Sequence, residues 1–451
     1  MEIVVVGMGY VGIPVAALFA DNEGFNVAGV QRRSKRSGWK IDYLNSGKCP
    51  IGGDEPDLAE LIEKVVKKGS LKVTDDPSVC ANADAILIAV QTPIDANHIP
   101  KYESLRQVCQ DIGGRMKKGT LVSVESTVAP GTTNYIVKPI LEEHSGFAAG
   151  EDFNLVYSYE RVMAGRLLYN LTNLARIIGG LTPRCTKHGI ELYKNIVKAQ
   201  LLPTDSLTAE VAKVVENAYR DVNIAFANEV ALICESLGVN VHEVRRFVNS
   251  LPNDPSNPSA NPYRSMHIPG PGVGGHCLPK DSWLLKYGLD AFGTFKFSPQ
   301  VMIESRHVND SMPEHMKELV KEALEERGVR LEDARIAILG LAYLENSDDP
   351  RNTPSLTLYR MLEDSCKEVT IHDPYIREYE RVNVTPDLEA ALKNKNCLVL
   401  TTRHNQYLNL PIDWIKSLLA TPVIVDGRNV FNKESCVEAG FTFRGVGIPR
   451  S

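Results

Sequence analysis

A glycine-rich loop places one cysteine next to three other reactive side chains. Residues 270–281 read Gly-Pro-Gly-Val-Gly-Gly-His-Cys-Leu-Pro-Lys-Asp, so that His276, Lys280 and Asp281 lie close to Cys277 in the sequence. Glycines let the backbone approach a ligand closely, and a nearby cation favours the thiolate, which is the nucleophilic form of cysteine. The loop therefore indicates a reactive cysteine. The alternative is a turn rich in glycine and proline that carries an inert thiol.

A second glycine pattern is typical of dinucleotide binding. Residues 7–12 read Gly-Met-Gly-Tyr-Val-Gly and stand between a predicted strand at 3–6 and a predicted helix at about 13–21. In this order the three glycines permit a tight bend, close approach of the backbone to a pyrophosphate, and packing of the helix against the strand. The pattern predicts a nicotinamide cofactor.

The next predicted strand, residues 26–30, ends without the acidic residue that usually binds the adenosine ribose of NAD. Instead the chain continues Gln-Arg-Arg-Ser-Lys-Arg over residues 31–36. Arg32 and Arg33 are suited to a ribose 2′-phosphate, which keeps NADP as an alternative to NAD. A solvated basic loop, or a guanidinium stacked on the adenine, accounts for these residues equally well.

Polar side chains also follow three further predicted strands, at 84–90, 121–124 and 154–158. In an open α/β sheet, ligands bind outside the carboxyl ends of the strands, so we expect these side chains on the cofactor side. For the two threonines after the second of these strands, helix capping is the alternative role. The side chains concerned are Thr92, Thr127, Thr133, Glu160 and Arg161.

A helix is predicted from Thr208 to Leu237, because this stretch contains no glycine or proline. Lys213 and Asn217 are four residues apart and therefore share one face of it. For Lys213 alone, a solvated surface position is the alternative. A helix of this length with so many apolar positions favours a homodimer interface.

The C-terminal third repeats the alternation of strands and helices, with strands predicted at 335–339, 368–372, 397–401 and 423–426. The predicted fold class is therefore α/β, with two Rossmann-like doubly wound domains joined by a long central helix. We expect a cofactor-binding domain at 1–203, a central helical dimerisation region with the cysteine loop at 204–313, and a second, Rossmann-like ligand-binding domain at 314–451, whose arginines suit a diphosphate. A loop at 252–262, rich in Pro, Asn and Ser, is expected to be mobile.

Composition limits the class of protein. The net charge of −6 argues against a nucleic-acid-binding protein. The nine cysteines are scattered and include no Cys-x-x-Cys pair, which favours a reducing, cytoplasmic setting without structural zinc or another metal. The apolar stretch at 3–20 is long enough to cross a membrane, but its glycines, its proline and the absence of a basic start argue against an anchor or a signal peptide.

Together these motifs resemble the nucleotide-sugar 6-dehydrogenases, the UDP-glucose/GDP-mannose dehydrogenase family. The resemblance runs through nearly the whole chain and rests on GMGYVG, QTP, ESTVAPGTT, YERV, the helix of Lys213 and Asn217, GVGGHCLPKD, DPRNTP and DGRN. It implies a four-electron oxidation of the sugar C6 alcohol to a carboxylate with two molecules of NAD. Cys277 forms a thiohemiacetal and then a thioester in such a reaction.

The resemblance also implies a role for each site residue. Lys213 and Asn217 stabilise the oxyanion, Asp281 orients water or transfers a proton, Thr127 positions the water, and Glu160 is the general base. The implied cofactor-binding residues are Gly7, Gly9, Tyr10, Val11, Gly12, Arg32, Arg33, Thr92, Thr127, Lys280 and Arg351. The implied residues for a UDP-sugar are Arg161, Lys213, Asn217, Arg220, Tyr263, Gly274, His276, Tyr343 and Arg428.

Several positions favour an acetamido sugar. His276 stands where UDP-glucose and GDP-mannose enzymes usually carry serine, and Glu160-Arg161-Val162 resembles the branch that acts on UDP-N-acetylmannosamine or UDP-N-acetylglucosamine. We therefore expect UDP-N-acetylmannosamine, with UDP-N-acetylglucosamine or UDP-glucose as alternatives. Departures from the family pattern are Tyr159 in place of proline, Leu344 in place of lysine, and Lys280, which follows the UDP-glucose enzymes.

Three other classes explain part of the sequence. A single-step hydroxyacid dehydrogenase shares the glycine turn and a helix lysine but needs no cysteine loop. A non-catalytic nucleotide-sugar-binding protein predicts binding without cofactor reduction. An aldehyde dehydrogenase forms a thioester but has no use for a second sheet domain.

Overall fold

The structure is a computed structural model that describes residues 1–35, 37–53, 55–163, 165–250 and 265–450. The chain packs as two compact units. The first contains Met1–Asn217 and Lys280–Ser298, and the second contains Ala218–Pro279 and Pro299–Ser451.

The first unit is built on a sheet of eight strands in the order β3-β2-β1-β4-β5-β6-β7-β8, in which all neighbours are parallel except the antiparallel pair β6 and β7. The order reverses between β1 and β4, and a crevice for a ligand opens at such a switch point. The strands are β1 (Glu2–Val6), β2 (Asn26–Val30), β3 (Leu71–Thr74), β4 (Ala85–Ile88), β5 (Leu121–Val124), β6 (Asn154–Tyr157), β7 (Arg176–Gly180) and β8 (Leu201–Asp205).

Helices cover both faces of this sheet. Successive side chains of a strand point to opposite faces, so Ile3 and Val5 join one buried cluster while Val4 and Val6 join another. The helices are α1 (Gly12–Asp21), α2 (Trp39–Asn45), α3 (Leu58–Lys68), α4 (Glu103–Gly113), α5 (Lys138–Ser145), α6 (Leu167–Asn173) and α7 (Pro183–Tyr193), with a 3₁₀ helix at Pro77–Asn82 and a π-helix at Thr133–Val137.

Four longer or connecting helices follow, and two of them contain residues of both units. They are α8 (Ser206–Leu237), α9 (Val241–Val248), α10 (Leu278–Phe292) and α11 (Gln300–Glu325). The length of α8, 32 residues, agrees with the prediction from its composition.

The second unit is built on a parallel sheet of six strands in the order β11-β10-β9-β12-β13-β14, with the reversal between β9 and β12. Ile336 and Ile338 face one core and Ala337 and Leu339 face another, so this sheet is also doubly wound. Its strands are β9 (Arg335–Leu339), β10 (Glu368–His372), β11 (Val384–Thr385), β12 (Cys397–Leu400), β13 (Val423–Asp426) and β14 (Thr442–Gly445). The remaining helices are α12 (Pro354–Glu363), α13 (Leu388–Leu392), α14 (Ile412–Leu418) and α15 (Lys433–Glu438), with 3₁₀ helices at Leu331–Asp333 and Asn405–Tyr407.

The predicted fold class is confirmed. The predicted strands all form, although β4 ends at Ile88 rather than at residue 90, because the chain turns into the loop before Thr92. The apolar stretch at 3–20 forms β1 and most of α1. Within the described ranges, no helix combines the length and the apolar character needed to cross a bilayer. The predicted loop at 252–262 and Tyr263 lie outside the described residues.

Candidate active site

The glycine turn after β1 fits a dinucleotide. Gly7 has φ +104°, which favours glycine, and a Cβ at Gly12 would overlap the carbonyl oxygen of Gly7. A Cβ at Gly9 would meet no atom within 4 Å, so the backbone there is open to a pyrophosphate. Tyr10 and Val11 are half-buried and lead directly into α1. The turn therefore suits the phosphates of NAD in both shape and position.

The residues after β2 make hydrogen bonds and ion pairs, and one of these hydrogen bonds supports the glycine turn. The Met8 backbone N–H donates a hydrogen bond to the Gln31 side-chain oxygen (3.1 Å), which ties the glycine turn to the end of β2. The Arg33 guanidinium lies 2.9 Å from Asp75 and 3.7 Å from Asp42. Its hydrogen bond to Asp75 raises the pKa of Arg33. Arg32 is exposed. Of the two arginines considered for a 2′-phosphate, Arg33 already binds carboxylates.

The loops after β4 and β5 are joined by hydrogen bonds at the predicted residues. The Thr92 hydroxyl donates to the Thr127 carbonyl oxygen (2.5 Å), and both side chains are buried. Two residues further, the Ala129 N–H donates to the Tyr102 hydroxyl (2.8 Å). Thr127 is thus held by its backbone, and it lies on the buried carboxyl edge of the sheet as predicted.

Lys213 and Glu160 meet inside the first unit. The Lys213 ammonium donates to the Glu160 carbonyl oxygen at 2.9 Å and lies 3.9 Å from the Glu160 carboxylate and 5.1 Å from the centre of the Tyr159 ring. The Glu160 carboxylate in turn accepts a hydrogen bond from the Val162 N–H (2.6 Å). Lys213 and Glu160 are both buried, so a solvated surface lysine is excluded for Lys213.

Asn217, one helical turn after Lys213, binds the other predicted carboxylate. Its side-chain amide donates to Asp281 at 2.6 Å, and the Lys280 ammonium lies 2.9 Å from the second oxygen of Asp281. Asp281 is completely buried. The two carboxylates implied in proton transfer are therefore each paired with a residue of α8.

Arg161 has protein partners at every part of its guanidinium. Its Nε lies 2.9 Å from the Glu216 carboxylate, and one terminal nitrogen donates to the Ala175 carbonyl oxygen at 2.8 Å. Although partial burial alone would lower it, the pKa of Arg161 is raised by the pairing with Glu216. A role for Arg161 on a sugar stays a prediction.

A buried ion pair behind the ends of β5 and β6 was not expected from the sequence. Arg176 lies 2.8 Å from Glu125 and donates to both the hydroxyl and the carbonyl oxygen of Ser158, at 2.8 Å each. The Tyr193 hydroxyl donates to Glu125 at 2.6 Å. Burial raises the pKa of Glu125. Arg176 gave no signal in the sequence because it begins β7, a strand that was not predicted.

In the second unit, the glycines of the cysteine loop are needed for close packing. A Cβ at Gly274 or Gly275 would press against the Tyr343 side chain, and Gly275 has φ +91°. The Gly275 N–H donates to the Arg351 carbonyl oxygen at 2.9 Å, and the Asn352 side chain donates to the Gly275 carbonyl oxygen at 3.0 Å. The loop is therefore fixed against the segment 343–354.

Cys277 directly precedes α10, and both Cys277 and His276 are partly exposed. Burial raises the pKa of Tyr343 to about 12, while Cys277 also raises it and Arg220 lowers it through their charges. Tyr343, Cys277 and Arg220 are thus electrostatic neighbours. Three of the predicted substrate and catalytic residues are brought together here.

Helices α8 and α11 fix the start of this loop through a series of buried, hydrogen-bonded side chains that was not predicted from the sequence. The Gly270 N–H donates to the Asn228 side-chain oxygen at 2.9 Å, and the Asn228 amide donates to Asn309 at 2.9 Å. Asn309 donates to the Asp221 carboxylate at 2.8 Å. The same carboxylate also binds Arg306, at 2.6 Å.

The last predicted residues lie at the carboxyl edge of the second sheet. Arg428 donates from Nε to the Thr401 carbonyl oxygen at 2.9 Å, and burial lowers its pKa. Arg351 is paired with Asp349, with Nε 2.8 Å from the carboxylate. His404 joins the loops after β12 and β9, because it accepts a hydrogen bond from the Asn346 N–H at 2.9 Å.

The predicted site residues thus fall into two groups, one in each unit. The first unit contains Thr127, Glu160, Lys213, Asn217, Lys280 and Asp281 with the glycine turn, and the second contains Arg220, Gly274, His276, Cys277, Tyr343, Arg351 and Arg428. Tyr263 is not among the described residues. No cluster of three or more metal-ligating side chains occurs in the part of the chain that the structure describes.

The sequence matches all three parts of one enzyme family. Residues 1–197 match the NAD binding domain of the UDP-glucose/GDP-mannose dehydrogenase family, residues 207–311 match its central domain, and residues 337–433 match its UDP binding domain.

Individual relatives are similar over the full length. The UDP-N-acetyl-D-mannosamine dehydrogenase of Pyrococcus horikoshii is 36% identical over 448 residues, 99% of each chain. A solved structure of the UDP-D-ManNAc dehydrogenase from that organism has a TM-score of 0.89 at 35% identity and covers 100% of both chains. The crystal structure of an NDP-N-acetyl-D-galactosaminuronic acid dehydrogenase from Methanosarcina mazei Go1 has a TM-score of 0.86 at 41% identity and covers 100% of this chain and 95% of that one. This similarity confirms the resemblance seen in the motifs, and the chain belongs to the UDP-glucose/GDP-mannose dehydrogenase family as an NAD-dependent nucleotide-sugar dehydrogenase.

Proposed function

We propose that the chain oxidises the C6 alcohol of UDP-N-acetylmannosamine to the carboxylate, in two NAD-dependent steps through a thioester on Cys277. The observation that carries the choice of sugar is the similarity, over 99% of the chain, to the Pyrococcus relative named for that substrate. His276 beside the cysteine is consistent with a pocket for a sugar with an acetamido group at C2.

A second candidate substrate is a galacto-configured N-acetylhexosamine nucleotide. It is favoured by the 41% identity to the Methanosarcina dehydrogenase, whose name refers to N-acetyl-D-galactosaminuronic acid. Both candidates carry the acetamido group and differ in stereochemistry, so the class of substrate is the same in either case.

In the proposed mechanism the Cys277 thiolate adds to C6 of the aldehyde formed by the first oxidation, and an S–C bond forms as the aldehyde oxygen becomes an alkoxide or takes a proton. NAD would supply the hydride acceptor for each of the two oxidations, and loss of the second hydride from C6 turns the thiohemiacetal into the thioester. Water then attacks the thioester, the C–S bond breaks, and the thiolate is regenerated with release of the carboxylate. Four electrons leave the sugar in total.

We assign the charged groups of the first unit to the proton and oxyanion chemistry. Lys213 is buried, and its ammonium has a fixed direction because it donates to the Glu160 carbonyl oxygen, which suits stabilisation of an oxyanion. Glu160 acts as general base for the attacking water and Thr127 positions that water. Asn217 and Lys280 hold Asp281 in one orientation for proton transfer, through contacts of 2.6 and 2.9 Å.

We further propose that the chain is a cytoplasmic homodimer joined through α8. Seven large apolar side chains are exposed along this helix, at Leu207, Val211, Val215, Tyr219, Phe226, Ile233 and Leu237. An exposed apolar patch of this extent is typical of a protein interface. The absence of a disulfide in the described part of the chain, which holds nine cysteines, supports a reducing compartment. The domain assignment 1–203, 204–313 and 314–451 belongs to the same proposal.

A panel of UDP-sugars tests the substrate. We expect kcat/KM for UDP-N-acetylmannosamine to exceed that for UDP-N-acetylglucosamine, UDP-N-acetylgalactosamine and UDP-glucose by at least tenfold, measured as NADH formation. A higher value for UDP-N-acetylgalactosamine would establish the second candidate. If the protein binds these UDP-sugars but forms NADH with none of them, it would be a non-catalytic binding protein.

A further inference from the structure

One buried carboxylate on α8 belongs to none of the roles assigned so far. Glu210 has no exposed surface and lies three residues before Lys213, so the two side chains leave neighbouring positions on the helix. It binds the loop after β5 rather than any group of its own helix.

Three hydrogen bonds join this carboxylate to the loop. One oxygen accepts from the Thr133 N–H at 2.7 Å and from the Thr133 hydroxyl at 2.6 Å, and the other accepts from the Gly131 N–H at 2.6 Å. Gly131 has φ +94°, and a π-helix begins at Thr133. The carboxylate therefore binds the point at which this segment departs from regular geometry.

The other end of the same loop carries Thr127. The Thr127 carbonyl oxygen accepts from Thr92, and the Ala129 N–H donates to Tyr102, so these two anchors come from the segment between β4 and α4. Glu210 supplies the anchor that comes from the helix of Lys213 and Asn217. It links the two parts of the first unit to which oxyanion stabilisation and water positioning have been assigned.

We propose that Glu210 is a positioning residue that sets the distance between Thr127 on the loop and Lys213 on the helix, and that turnover depends on this link. The proposal rests on the proposed function, in which both residues act on the reacting carbon. Burial raises the pKa of Glu210 to about 7 even though all three donors lower it. Buried carboxyl groups with a strongly raised pKa are enriched at functional sites.

The test compares Glu210→Gln with a matched control on the same helix, Glu235→Gln. Glu235 is also buried and accepts a hydrogen bond from a glycine N–H, that of Gly447 at 2.7 Å, but it lies in the second unit. The amide that Glu210→Gln introduces keeps one acceptor oxygen and places a donor where the Gly131 N–H needs an acceptor. Both variants are assayed on whichever UDP-sugar the wild type oxidises fastest, so that a wrong sugar assignment does not affect the test.

We expect Glu210→Gln to lower kcat at least tenfold with KM for NAD and sugar within threefold of wild type, and Glu235→Gln to leave kcat within twofold. Hydrogen exchange, which needs no substrate, should be at least tenfold faster at residues 129–137 in Glu210→Gln and unchanged there in Glu235→Gln. Wild-type kcat in Glu210→Gln, or an equal loss of kcat in both variants, would overturn the proposal.

A milder variant covers the case in which Glu210→Gln does not fold. Thr133→Val removes one of the three hydrogen bonds and keeps the carboxylate and the side-chain volume. We expect it to lower kcat about threefold or more without changing KM, and to speed exchange in the same segment. Unchanged kcat together with unchanged exchange would contradict the link.

Discussion

At the scale of single residues, the proposed reaction depends most on Cys277. It lies in a loop whose glycines pack against Tyr343, and the residue is partly exposed. Serine has nearly the same size but is a much poorer nucleophile and leaving group at neutral pH. The Cys277→Ser variant should therefore release or hold an aldehyde after a two-electron oxidation instead of completing the reaction.

This outcome can be measured by counting NADH per sugar and by trapping the aldehyde with hydroxylamine. We expect at most one NADH per sugar in Cys277→Ser. Full conversion to the acid at the wild-type rate would rule out a thioester on this cysteine as an intermediate of the reaction.

Cofactor choice is also decided by individual residues. Arg33 binds Asp75 and Asp42, so a ribose 2′-phosphate would have to compete with two carboxylates for it. We expect kcat/KM to be more than tenfold higher with NAD than with NADP, and Asp75→Asn to narrow this ratio by releasing Arg33. Comparable constants for the two cofactors in the wild type would contradict this interpretation.

At the scale of secondary structure elements, α8 and α11 determine where the cysteine loop begins. Asn228 accepts from the Gly270 N–H and donates to Asn309, both inside the core of the second unit. Removing the Asn228 side chain leaves two buried polar groups without partners, and each of them lowers the free energy of unfolding by about 1–3 kcal/mol. We expect Asn228→Ala to lower the melting temperature and to change the rate at which iodoacetamide labels Cys277.

The matched control for this variant is Asn223→Ala. Asn223 lies on the same helix, but its side chain donates to a carbonyl oxygen of that helix, that of Tyr219. Labelling of Cys277 should proceed at the wild-type rate in this control. An unchanged labelling rate in Asn228→Ala would show that the asparagine does not set the position of the loop.

Most of the secondary structure elements could be predicted from the sequence, and the exceptions have physical reasons. The glycine turn, the apolar strands and the long helix have strong local patterns, and all of them form as predicted. β8 was missed because Pro203 and Thr204 interrupt its apolar character, which an edge strand tolerates. Glu210 and Asn228 were missed as anchors because their partners are 79 and 42 residues away, and a single polar residue in a helix carries no local sign of such a contact.

At the scale of the whole molecule, the apolar face of α8 makes a prediction about assembly. Ile233 is 50% exposed on this face, and Val437, which is also 50% exposed, belongs to α15 rather than to α8. We expect sedimentation to find a dimer for the wild type and for Val437→Glu, and a monomer for Ile233→Glu, because a charge at the interface is costly to bury. A wild-type monomer at micromolar concentration would show that the proposed homodimer does not form.

The central claim is that one polypeptide removes four electrons from one sugar and returns its cysteine unchanged. The most direct measurement is the amount of NADH formed by the wild-type enzyme from a limiting amount of UDP-N-acetylmannosamine, with the product identified by mass. The thioester mechanism predicts two NADH and one UDP-N-acetylmannosaminuronate for each sugar consumed. One NADH for each sugar, with an aldehyde or ketone as the final product, would contradict it.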